Sequence, residues 1–228
     1  MSELAPFPGD AIVRPYPKIN GPFKRCTERG DRYNKLIPGV WSDSSLKTLK
    51  DAEWRWTEKL DGTNLRIHWD GYRVSLGGRT ERAQLHGDLI QWVQTNLPEE
   101  LFEQKFGLQP VTLYGEGVGP GIQAGGGNYG PVKKFVLFDV LIDNVWRTND
   151  TITEVAETFG LDQPSGAVYG GVQLAIDIVS LGLKSSHGDF TAEGLVGVPT
   201  DGFLNYRGGR IMLKVKTVDF GPGSGWNV

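Results

Sequence analysis

Over residues 54–76 apolar Trp54, Trp56, Leu65, Ile67, Trp69 and Val74 alternate with polar neighbours, and Asp61-Gly62 and Asp70-Gly71 stand between the runs. A period of two is that of a strand with one buried face, and Asp-Gly is a turn pair. The stretch therefore predicts three antiparallel strands joined by two turns. Further strands are expected over residues 111–117, 135–142, 194–198 and 210–215. Helical spacing of Leu85, Leu89, Ile90, Val93 and Leu97, closed by Pro98, predicts a helix. Thr151-Ile-Thr-Glu154 reads as a capping box whose helix ends at Gly160, and another helix is expected over residues 172–181. Strands outnumber helices without strict alternation, so the expected class is α+β with mainly antiparallel sheets.

With 228 residues, 39% apolar and 22% charged, the chain is expected to form a single domain with a sizeable core; disordered and fibrous classes are excluded. The 32 glycines follow no G-X-Y period and imply tight turns and close backbone approaches. Cys26 stands alone, which excludes an internal disulfide and points to a reducing compartment. The first thirty residues show no basic-then-apolar leader, and no run reaches the roughly 18 apolar residues of a membrane helix. A soluble cytoplasmic protein, without membrane partners, is the expectation.

The net charge of −3 is unevenly spread. Arg14, Lys18, Lys24, Arg25, Arg29, Arg32 and Lys35 face only Glu28 and Asp31 in the same stretch, interleaved with Tyr16, Phe23 and Tyr33. This pattern suits either a solvated loop or a track for a phosphate backbone with rings for base stacking. His68, His86 and His187 have no catalytic spacing, and neither G-x-G-x-x-G nor G-x-x-x-x-G-K-[ST] occurs. Histidine-based hydrolysis, Rossmann and P-loop sites are thereby set aside. Thr57-Glu58-Lys59-Leu60-Asp61-Gly62-Thr63-Asn64 sets a lysine at a strand end beside a turn. Lys59 is either a solvated surface residue or a nucleophile; an amine attacks only when unprotonated, a form that apolar surroundings and nearby cations favour.

Five further segments follow in a telling order: Gly78-Arg79-Thr80, Tyr114-Gly-Glu-Gly-Val-Gly-Pro-Gly-Ile-Gln123, Phe135-Val-Leu-Phe-Asp139, Thr191-Ala-Glu-Gly-Leu-Val196 and Met212-Leu-Lys-Val-Lys216. With Glu58-Lys-Leu-Asp-Gly-Thr-Asn64 they resemble, over residues 16–220, the motifs of the covalent nucleotidyltransferases, the superfamily of polynucleotide ligases and capping enzymes. The G-E-x-x-G-P-G-I-Q segment and the ending at Asn64 look most like ATP-dependent RNA ligases of the phage RNA ligase 2 type; capping enzymes and most DNA ligases usually carry arginine at that position.

The resemblance implies an α+β nucleotidyltransferase (ATP-grasp-like) domain of antiparallel β-sheets with flanking helices. It further implies an enzyme that uses ATP and Mg²⁺ (or Mn²⁺), becomes adenylylated on Lys59, passes AMP to a 5′-phosphate end and seals that end to a 3′-hydroxyl. By the same token Lys214 and Lys216 meet phosphate, Glu193 and Asp61 hold a hydrated metal, and Arg79 binds phosphate or ribose. Glu116 and Asn64 lie by the ribose, Glu58 lies near adenine, and Phe138 stacks on it.

Two departures stand out. Val198 occupies a position where the family commonly has lysine, and, with only eight residues after Phe220, no oligonucleotide-binding or helical C-terminal domain is expected. The nucleic acid, RNA in preference to DNA, is then expected on Lys24, Arg25, Arg29 and Arg32, with Arg207 and Arg210, or on a partner protein. A minimal DNA ligase and a non-sealing module that binds nucleic-acid ends are the alternative readings.

Overall fold

The computed structural model describes residues 13–30, 33–80, 83–205 and 208–226. In chain order its elements begin with β1 (Phe23–Arg25), β2 (Leu36–Trp41), α1 (Ser44–Thr48), β3 (Trp54–Glu58), β4 (Thr63–Trp69) and β5 (Val74–Gly78). There follow α2 (Gly87–Asn96), α3 (Glu99–Phe106), β6 (Val111–Val118), β7 (Lys134–Ile142), β8 (Val145–Trp146) and α4 (Asn149–Phe159). The last are β9 (Val168–Gly170), α5 (Val172–Ser180), β10 (Gly194–Pro199), β11 (Leu213–Lys216) and α6 (Thr217–Phe220). The chain divides into two compact units, one of Asp61–Gln163 with the segment ending at Tyr16, the other of Pro17–Leu60 with the residues from Pro164 onward. Helices and antiparallel sheets coexist without βαβ alternation, as the α+β expectation requires.

The first unit holds a sheet in the order β5-β4-β6-β7-β8, every pairing antiparallel. Alternate residues Leu65, Ile67, Leu113, Leu137 and Val140 bury one face against Leu89 and Val93 of α2, Phe102 of α3 and Phe159 of α4. Asp70-Gly71 makes the expected hairpin turn, the Asp70 carboxylate accepting from the backbone of Tyr72 and Arg73 at 2.7 Å each. Helix α3 was not visible in the pattern: Pro98 ends the first apolar stripe but also opens a second helix, with Glu99 and Glu100 in its first turn.

The second unit holds a sheet in the order β11-β10-β3-β9 and the hairpin β1-β2. Trp54, Trp56, Leu195, Leu213 and Val215 pack on Ala175, Ile176 and Val179 of α5. Phe23, Leu36 and Trp41 join this core, so the basic stretch is partly a β-hairpin rather than a free loop.

Two expectations are corrected. Trp54–Glu58 does not form a meander with the next two strands: β3 has β10 on one edge and β9 on the other, so β4 pairs with β5 and β6 instead. Asp61-Gly62 is therefore a passage from one unit into the other, not a hairpin turn. A Cβ on Gly62 would fall 2.3 Å from the Gly117 carbonyl oxygen, so glycine alone lets the chain run that close to β6. Likewise α4 starts at Asn149 with Thr148 at its cap, which puts Thr151 inside the helix, while Glu154 pairs with Lys105. Asp150, in the first turn, favours the earlier start through the helix dipole. Among the described residues no helix is long and apolar enough to cross a membrane.

Candidate active site

In the second unit three strand ends bring Lys59, Glu193 and Lys216 together. The register sets Gly194 opposite Lys216 and Leu195 opposite Glu58. Lys59 N–H donates to the Gly194 carbonyl at 2.8 Å, and Thr217 N–H donates to the Glu193 carbonyl at 2.9 Å. With the backbone fixed on both sides, Lys59 Nζ lies 2.5 Å from Glu193 Oε2 and Lys216 Nζ lies 2.8 Å from Glu193 Oε1. Along β11 Leu213 and Val215 are buried while Lys214 and Lys216 alternate with them, as the strand period predicts.

Burial pushes the Glu193 carboxyl up, but Lys59 and Lys216 outweigh it and hold the group below the usual carboxylate range. A carboxyl whose folded pKa is depressed stabilises the fold above its unfolded value, and that contribution disappears as pH falls through the folded value. Glu193→Gln is accordingly expected to lower stability at pH 7 by about 1 kcal/mol, the usual scale for a partly exposed ion pair. Melts at a series of pH values should show the gap from the native chain closing below about pH 4, near the carboxylate reference value. A gap that stays constant would mean the carboxylate is not held by charge.

Glu58, 6% exposed, turns away from this cluster. Its Oε1 accepts from the Ser185 hydroxyl at 2.6 Å, and its Oε2 accepts from Ser186 N–H at 2.8 Å and the Ser186 hydroxyl at 2.6 Å. These serines, missed in the sequence, tie the residue before Lys59 to the loop that leads into Glu193. The only written signal was a polar Ser-Ser-His-Gly-Asp run upstream of Glu193.

In the first unit Asn64 on β4 stands opposite Glu116 on β6, so both project from the face away from the apolar core. The Asn64 Oδ1 is buried and has no hydrogen-bond partner. Asp61 N–H donates to the Tyr129 hydroxyl at 2.9 Å. Arg79, just past β5, is exposed. Phe138 is half-buried and sits at a bulge: Leu137 pairs with Gly115 and Asp139 with Tyr114, leaving Phe138 without an opposite residue.

Lys24 and Arg29 are exposed near the β1-β2 hairpin, whereas Arg25 is committed to Asp219 Oδ2 at 2.6 Å and to the Asn34 carbonyl at 2.9 Å. Arg32 and Arg207 lie outside the described residues.

The description "RNA ligase" belongs to the family model that matches residues 52–216. This chain belongs to the RNA ligase family. Solved structures of the Naegleria gruberi RNA ligase share the fold. One mutant with AMP and Mn gives a TM-score of 0.59 at 16% identity, over 76% of this chain and 52% of that one. Another with ATP and Mn gives 0.59 at 17% identity, over 76% and 51%. An apo mutant gives 0.59 at 16% identity, over 76% and 51%. The chain thus spans about half the length of the solved ligases it matches. No curated protein matches it by sequence.

Proposed function

We propose that this chain is an ATP-dependent RNA ligase that works through a lysyl-AMP intermediate. The observation that carries the reading is Lys59 at the end of β3, its amine on one oxygen of Glu193 and that of Lys216 on the other. Unprotonated, Lys59 Nζ attacks the α-phosphorus of ATP; an N–P bond forms, the bridging P–O bond breaks and pyrophosphate leaves. The adenylate then passes to a 5′-phosphate end, and a 3′-hydroxyl displaces AMP to form the phosphodiester. Lys214 and Lys216 favour the charge that develops on the phosphates. Arg79 adds a guanidinium fork for phosphate or ribose, and Glu116 and Asn64 accept from ribose hydroxyls. Phe138 offers its ring to adenine, and Glu58, held by Ser185 and Ser186, also positions the nucleophile's strand end.

Among the described residues no group of three or more His, Cys, Asp or Glu forms a cage for a metal. The donor set fits a magnesium ion that keeps most of its waters and is held through few carboxylates and the substrate phosphates. Asp61 and Glu193 are the carboxylates proposed to hold it, and such an ion would supply charge neutralisation at the α-phosphate when bound.

The test offers the chain nicked duplexes with 5′-phosphate and 3′-hydroxyl ends that differ only in the 2′-hydroxyls at the 3′ side. Sealing that requires those hydroxyls supports the RNA reading, equal sealing of DNA favours a minimal DNA ligase, and binding without sealing favours an end-binding module. In a salt titration on the same nicked duplexes, replacing Lys24 and Arg29 by glutamine should reduce the slope of log affinity against log salt by about 1.8, the duplex value for two phosphate contacts. An unchanged slope removes the hairpin from the nucleic-acid surface.

A further inference from the structure

Residues 13–16 cross the sheet of the first unit on the face opposite its apolar core. Arg66, Tyr114 and Asp139 form one row across β4, β6 and β7, each paired with the next. The segment makes one bond to each. Arg66 Nη1 donates to the Val13 carbonyl at 2.9 Å, the Tyr114 hydroxyl donates to the Arg14 carbonyl at 2.6 Å, and the Tyr16 hydroxyl donates to Asp139 Oδ2 at 2.9 Å. Burial pushes the Tyr114 hydroxyl up to about 12. The Arg14 guanidinium lies 5.8 Å from the Trp146 ring centroid.

The ring of Tyr16 ends this crossing, 4.9 Å from Phe138 at an interplanar angle of 65°, with Tyr114 at 5.3 Å and Trp146 at 5.7 Å behind it. Among the described residues Tyr16 is the one ring in contact with Phe138. Phe138 is the extra residue of a bulge, so the strand ladder fixes it less than its neighbours and its direction depends on side-chain support. An edge contact props a ring while occupying at most one of its faces, which leaves a face for a flat base. One row along the same sheet face stand Asn64 and Glu116, the proposed ribose residues.

We propose that Tyr16, held by Asp139, is the positioning residue that sets Phe138 as the platform for the adenine base. The proposal rests on the reading of this chain as an ATP-consuming ligase and extends its nucleotide site to a segment whose arginine and tyrosine had read as part of a nucleic-acid track. It assigns Asp139 the task of fixing Tyr16, and it separates base recognition from phosphate chemistry.

Calorimetric titration with AMP, paired with the ATP dependence of adduct formation, tests this in the native chain, Tyr16→Leu, Phe138→Leu and the double variant. Tyr16→Leu should weaken AMP binding and raise the apparent KM for ATP about three- to tenfold, the range of one aromatic pair, with the rate at saturating ATP retained. In the Phe138→Leu background the same change should have no further effect. Tyr16→Phe, which keeps the ring and loses the Asp139 bond, should fall between. Unchanged AMP affinity in Tyr16→Leu overturns the proposal. So does a loss that persists undiminished in the double variant or falls on the saturated rate, because that is the mark of a general structural role. A native chain that binds AMP with this dependence on Tyr16 yet never forms an adduct removes the ligase chemistry and leaves the platform standing. A native chain that ignores AMP removes both.

Discussion

Lys59→Ala is expected to gain no adenylate when incubated with ATP and Mg²⁺, while the native chain gains one per molecule, read by intact mass. Lys216 sits on the other oxygen of the same carboxylate, 2.8 Å away, and stays committed to Glu193 when Lys59 is removed. The fold should survive, because a partly exposed ion pair is worth only about 1 kcal/mol and Glu193 keeps its second partner. Lys59→Arg separates charge from chemistry: the guanidinium keeps the pairing with Glu193 and stays protonated at any working pH, so it cannot attack phosphorus. That variant should match the native chain in thermal stability and match Lys59→Ala in forming no adduct. Labelling that persists in either variant would move the nucleophile to another amine, Lys216 being the first to check by peptide mapping. Glu193 holds the Lys59 amine at 2.5 Å, so adduct formation has to begin by breaking that contact.

The elements that the sequence placed correctly are those whose side chains face one core. Leu65 and Ile67 on β4, Leu113 on β6, and Leu89 and Val93 on α2 keep one parity or one helical stripe through their whole length, and the pattern shows it. What pattern could not supply was which strand pairs with which. The alternation in Trp54–Glu58 is the same whether its edge is taken by β4 or by β10 and β9, and the latter pairings join segments more than a hundred residues apart. The same limit applies to the site. The strand-end lysine and the alternating Lys214 and Lys216 are written in the chain, as is Glu193. The clasp of Ser185 and Ser186 on Glu58 is not, because two serines in a polar loop look like any turn until the fold sets them beside a carboxylate. Tyr16 read as a ring for base stacking in a basic stretch; its contacts with Asp139 and Phe138, each more than a hundred positions along, give it a different task.

Gly194→Ala should be the most damaging single methyl group in the second unit. Gly194 opens β10 directly after Glu193 with φ at +147°, a conformation that L side chains rarely adopt. A Cβ there would fall 2.0 Å from the Val215 carbonyl oxygen and 2.8 Å from Lys216 Cα. Both obstacles are backbone atoms of β11, which no rotamer change can move aside. Relief requires β10 and β11 to part at the pairing of Gly194 with Lys216, where Lys59 N–H also finds its acceptor, the Gly194 carbonyl. Overpacking of this kind costs about 1–3 kcal/mol, and the disfavoured φ adds about 1–2 kcal/mol. For a chain of this size the sum corresponds to a melting temperature lower by roughly 5–15 °C. Because Lys59, Glu193 and Lys216 all hang from that junction, adduct formation should fall more than stability does, even at temperatures where the variant remains folded. A variant that melts as the native chain does and adenylylates at the native rate would mean that the two strands part at this point without consequence for Lys59, and the three-strand origin of the site's geometry would have to be abandoned.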